Sequence, residues 1–125
     1  MVPQDYSKFK QEYLKVIYLL SEKNPAIYVS NHKIASNLNI KPSSVSEMIG
    51  KLKNDGLVEW IKRKGVRLTP EGQQIAATLI EKFYVVKSIF KKLFKIQDEE
   101  TLDQLACNIE HIISDEVLSS LRPYA

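Results

Sequence analysis

Cys107, Glu110 and His111 stand at i, i+3 and i+4, the spacing that brings side chains onto one face of an α-helix. A thiolate, a carboxylate and an imidazole converging there form a ligand set of mixed softness, which suits a divalent transition metal better than magnesium or calcium. Each residue also has a plainer use. Cysteine packs as a small apolar residue in cores, a histidine can be a hydrogen-bonded core residue, and a glutamate can face solvent. Cys107 is the single cysteine, so an internal disulfide is excluded and its remaining roles are packing, ligation or reactivity. A Cys/His pair can support nucleophilic chemistry, but no glycine-rich phosphate loop accompanies it, and the chain is not expected to be an enzyme. His32, the other histidine, reads as a surface residue.

A second kind of chemistry is written between Lys41 and Gly56. Val45, Met48, Ile49 and Leu52 follow i, i+3, i+4 and i+7, which commits one helix face to a core. The other face gathers Ser43, Ser46, Glu47, Gly50 and Asn54, small and polar enough to approach another surface closely. Pro42 pre-sets the first turn and Asp55-Gly56 ends it. Ahead of it, Ser30 caps a short helix with Ile34, Ala35 and Leu38 on one side and Asn39 at its end. Behind it, Leu57–Ile61 and Val66–Thr69 flank the basic turn Lys62-Arg63-Lys64-Gly65 as a β-hairpin. The sequence predicts a winged helix-turn-helix that binds double-stranded DNA. Pro42, Ser43, Ser44, Ser46 and Glu47 are expected in the major groove, and Lys41, Lys51, Lys53, Lys62, Arg63, Lys64 and Arg67 on phosphates.

The elements that must carry these groups follow from periodicity and caps. A first helix is predicted from about Tyr6 to Glu22, with Phe9, Tyr13, Val16, Ile17 and Leu20 inward and Asn24-Pro25 closing it. Thr69-Pro70-Glu71 opens a long helix reaching about Lys95. Its apolar positions Ile75, Ala76, Leu79, Ile80, Phe83, Val86, Phe90, Leu93 and Phe94 form a stripe too long for one neighbour, which predicts a subunit interface and a homodimer. A last helix is expected over Glu99–Leu121. The fold is therefore mainly α: an N-terminal winged helix-turn-helix over 1–72, then a two-helix dimerisation and metal-binding region over 73–125.

Charge divides along the same line. Residues 1–95 carry 17 Lys and Arg against 8 Asp and Glu, a balance of +9, whereas residues 96–125 carry 1 against 7, a balance of −6. The basic part suits DNA; the acidic part suits cations or simple solvation. No apolar run approaches the roughly 18 residues that span a bilayer, and no signal-peptide core opens the chain. A cytoplasmic protein without membrane contact is expected.

The order of these elements resembles the metal-dependent repressors typified by the diphtheria toxin repressor and the manganese transport regulator. The resemblance is carried by Glu12–Tyr18, by Pro42–Ser46 with Asp55–Val58, by Leu68–Gly72, and by Ala106-Cys107 through Glu110-His111 to Ser114–Val117. It implies a short form of the family, without the extra C-terminal domain of larger members. It also implies that Cys107, Glu110 and His111 are ligands, joined by Glu12 from the first helix, in one site per subunit. Iron(II) or manganese(II) is the implied ion, with cobalt(II), nickel(II) or zinc(II) as further occupants of a thiolate site.

Three positions depart from the family pattern: Phe83 stands in place of a histidine, and Lys15 and Lys87 in place of acidic ligands. A second metal ion is therefore not expected. A lysine ammonium among Glu12, Glu110 and Asp103 would serve as a built-in cation. The alternatives to a metal-controlled regulator are a metal-independent dimeric regulator of the same fold and a winged-helix protein-interaction module.

Overall fold

The computed structural model describes the backbone of residues 4–125 and the side chains from Lys8 onward. Its order is α1 (Gln4–Leu20), α2 (Asn31–Leu38), α3 (Pro42–Asn54), β1 (Val58–Ile61), β2 (Gly65–Leu68), α4 (Pro70–Leu93), α5 (Glu99–Glu110), α6 (Asp115–Leu121) and a closing 3-10 turn, Arg122–Tyr124. The chain divides into two compact units, Met1–Ala77 and Thr78–Ala125, with α4 running from one into the other.

In the first unit, α1 supplies Tyr13, Leu14, Val16 and Ile17 to a core shared with Ile34 of α2 and with Val45, Ile49 and Leu52 of α3. Phe9, expected to point inward, is 58% exposed, and Leu14 takes the place in the core. The helix also ends earlier than its sequence suggested. Glu22 and Lys23 adopt φ of 55° and 64°, and Lys23 donates its N–H back to the Tyr18 carbonyl at 2.9 Å, so the chain turns before reaching Asn24-Pro25.

Side chains and backbone close the ends of the reading unit. The Ser30 hydroxyl accepts from the Lys33 N–H at 3.1 Å, and Asn39 ends α2 in the left-handed region at φ 55°, which asparagine tolerates better than most residues. The strands pair antiparallel, with Val58 opposite Leu68 and Ile61 opposite Gly65. Val29 adds a one-residue antiparallel bridge to Val66 beside the hairpin. Only glycine fits at 65, because a Cβ there would lie 2.5 Å from the Val29 carbonyl oxygen. The Thr69 hydroxyl accepts from the Gly72 N–H at 3.2 Å and opens α4.

The second unit corrects one expectation. The helix predicted over Glu99–Leu121 is two helices, broken between His111 and Ser114. Ser114 is an N-cap whose hydroxyl accepts from the Val117 N–H at 3.1 Å, with Asp115 and Glu116 in the first turn after it. That is a strong helix start. The apolar residues continuing through Ile109, Ile112, Ile113 and Val117 masked the break. Val85, Ile89 and Leu118 pack together, joined by Ile113 and Leu121. Arg122 clamps the unit through a two-pronged contact to Glu81, at 2.8 and 2.9 Å. Lys82, almost buried, meets Asp115 at 3.0 Å. Among the described residues no helix is long and apolar enough to cross a membrane.

Candidate metal centre and nucleic-acid interface

The last turn of α5 carries the metal candidates. Cys107 and His111 are half-buried and Glu110 is fully buried. His111 is the residue that ends the helix, with right-handed φ and ψ of −77° and −15°, so the helical spacing persists across the last turn. One ligand atom from each of the three lies within 4.8 Å of the others. With metal–ligand lengths of about 2.0–2.3 Å, donors around one tetrahedral ion stand roughly 3.3–3.8 Å apart, a spacing that this upper bound brackets. Burying a carboxylate is costly unless it is paired or coordinated, and Glu110 has no exposed surface. The donor set and the burial both fit a divalent transition ion. Glu12, the fourth ligand implied by the family resemblance, is half-buried on α1 in the other unit.

Close by in the second unit, Lys87 is held between two carboxylates of α5, at 2.8 Å from Asp103 and 2.9 Å from Glu99. It also stands 5.9 Å from the centre of the Phe83 ring. The hydrogen bonds to Asp103 and Glu99 push the ammonium well above the ordinary lysine range. Lys87, followed by Lys91, pulls Glu99 below the ordinary carboxylate range. Asp103 was an expected partner of such a cation; Glu99, the other, lies at the start of α5 and carried no spacing signal.

In the first unit, α3 turns Val45, Ile49 and Leu52 fully inward and leaves Lys41, Pro42, Ser43, Ser44, Glu47, Lys51 and Lys53 exposed. Ser46 is half-buried and accepts a hydrogen bond from the Asn31 side-chain amide at 3.3 Å. Glu47 and Lys51 pair along the helix at 3.8 Å. At the wing, Lys62, Arg63 and Lys64 form the exposed turn, with Arg63 at φ 70°. Arg67 differs from these three in being engaged by Glu59 across the hairpin at 2.7 Å; it lies 4.9 Å from the Tyr28 ring centre, and Lys64 lies 5.8 Å from the same ring. Arg67 therefore stiffens the wing. Asn31 and Tyr28, which contact Ser46 and Arg67, carry no local signal in the sequence, since neither is near its partner along the chain.

The second unit also presents an apolar groove of about 530 Å³, whose lining includes Phe90, Leu93, Phe94, Ile113, Val117 and Tyr124. Leu93, Phe94 and Tyr124 are each about 60% exposed. These are the far end of the apolar stripe of α4 together with the end of the chain.

Comparison with known proteins places both units. Residues 5–66 match the family model of the iron dependent repressor N-terminal DNA binding domain, and residues 69–125 match that of the iron dependent repressor metal binding and dimerisation domain. An HTH-type transcriptional regulator of Methanocaldococcus jannaschii is 37% identical over 112 residues, covering 90% of this chain and 88% of that protein. The diphtheria toxin repressor of Corynebacterium glutamicum is 30% identical over 105 residues, covering 84% of this chain and 45% of its own. The solved structure of the manganese regulator SloR superposes with a TM-score of 0.75 at 32% identity, covering 92% of this chain and 52% of that one. The chain thus spans about half the length of the last two proteins.

Proposed function

From the premise that the chain belongs to the iron-dependent repressor family, we propose that it is a homodimeric, sequence-specific DNA-binding transcriptional repressor controlled by a divalent transition metal, iron(II) or manganese(II). The observation that carries the metal control is the convergence of Cys107, Glu110 and His111 on the last turn of α5. These three residues would hold the ion, with Glu12 as the fourth ligand. Bound there, it supplies positive charge that binds the thiolate and carboxylates into one site. Ligands drawn from α1 and α5 favour whichever arrangement of the two units brings them together, and only such a differential preference shifts a conformational equilibrium.

On DNA, α3 is the reading helix: its apolar face is spent on the core, so the opposite face is free for base edges. Two copies held by the apolar groove of the second unit would present two reading helices to half-sites about 34 Å, or a multiple of that, apart. Lys62, Arg63 and Lys64 supply phosphate contacts. Replacing Arg63 and Lys64 together by alanine is expected to weaken binding similarly on all sequences and to reduce the magnitude of the log K against log salt slope by up to about 2. An unchanged slope would remove the wing tip from the interface.

The deciding experiment is fluorescence anisotropy on DNA from upstream of the protein's own gene, at fixed ionic strength. Chelated protein is compared with protein titrated anaerobically with iron(II) and, separately, manganese(II). Specific binding that appears only with metal supports the proposal. The ammonium of Lys87 between Glu99 and Asp103 favours one alternative, a regulator of the same fold whose second unit is braced by its own cation. Equally tight binding after chelation would select that alternative.

A further inference from the structure

The face of α3 turned from the core carries Ser43 and Glu47, both exposed, with Ser46 and Gly50 half-buried beside them, and Glu47 is the one charged group among the four. Its side chain is 74% exposed and is tethered loosely by Lys51 at i+4. At Gly50, one turn further on, no atom beyond the adjoining helix backbone lies within 4 Å of where a Cβ would stand, so no other part of the chain fills the space beside Glu47. Ser46 has its oxygen occupied by the Asn31 amide, which leaves its hydroxyl hydrogen available as a donor. The face therefore offers one positioned hydroxyl and one acceptor-only carboxylate.

A carboxylate on a DNA-binding surface is repelled by every phosphate and lowers affinity for all sequences alike, unless a base offers it a hydrogen. In the major groove only cytosine, through N4, and adenine, through N6, present donors. Adenine places its N7 acceptor beside that donor, guanine presents only acceptors, and thymine an acceptor and a methyl group. Cytosine alone offers a donor with no acceptor on the same base edge. Resting on the proposed role of α3 as the reading helix, we infer that Glu47 is a specificity-determining residue that selects a cytosine at one position of each DNA half-site.

The test is selection from a fully randomised duplex library by the metal-loaded full chain, wild type against Glu47→Gln, using manganese(II) as the ion. The substitution is isosteric and lies on an exposed position, so the fold is retained. Wild type is expected to enrich cytosine at one position per half-site, with discrimination on the order of tenfold. Glutamine pairs with N6 and N7 of adenine, so Glu47→Gln is expected to lose the cytosine preference and move towards adenine at that position alone. Selected sites with the same base preferences in both proteins would overturn the inference and leave the repressor reading intact. Failure of wild type to enrich any sequence would overturn both.

Discussion

Cys107→Ala and His111→Ala are each expected to lower divalent-metal affinity at least about tenfold. Loss of groups that merely orient a ligand already costs 10- to 100-fold, and a direct ligand contributes no less. Cobalt(II) titration followed by absorption separates the two residues. The thiolate charge-transfer band belongs to Cys107 and disappears in Cys107→Ala, whereas His111→Ala keeps the band and weakens the binding. Both side chains are only half-buried, so circular dichroism of the metal-free variants should match wild type. The same titration on Glu12→Gln tests the fourth ligand, with a comparable loss expected. Cobalt affinity unchanged in Cys107→Ala would remove the thiolate from the ligand set, and affinity unchanged in both Cys107→Ala and His111→Ala would sink the metal centre.

Leu93→Asp is expected to raise the dimer dissociation constant by at least about thirtyfold, the effect of losing one interface hot spot worth about 2 kcal/mol. Leu93 is 59% exposed, so the aspartate costs the isolated chain little, and the penalty falls on whatever covers the groove. Sedimentation or light scattering over a concentration series reads the change. Dissociation would also separate the two reading helices, and binding to a two-half-site operator should drop by roughly 10²- to 10⁴-fold as linkage between them is lost. An unaltered mass distribution would take this groove out of the subunit interface.

Much of this protein was legible from local pattern. The positions Val45, Met48, Ile49 and Leu52 alone imply a helix with one committed face. Ser30, Asn39 and Thr69-Pro70 mark helix ends through groups that act within three or four residues. The spacing of Cys107, Glu110 and His111 likewise brings their ligand atoms together because it needs only one helical turn. Arg63 and Lys64 at an exposed hairpin tip follow from turn chemistry.

What required tertiary structure is wherever two local preferences competed or partners came from distant segments. The break before Ser114 is such a competition: apolar periodicity favoured one long helix, while the Ser114 cap and the acidic turn after it favoured a new start, and the packing of Leu118 with Val85 and Ile89 goes with the second. The docking of Lys87 on Glu99 and Asp103, the hold of Asn31 on Ser46 and the capture of Arg67 by Tyr28 each join segments whose separation along the chain gives no periodic signal. The sequence by itself determined which faces would be apolar, basic or ligand-bearing. Folding decided which charges would be spent internally, because an ion pair depends on distance in space, and that distance is set by the packing of whole elements.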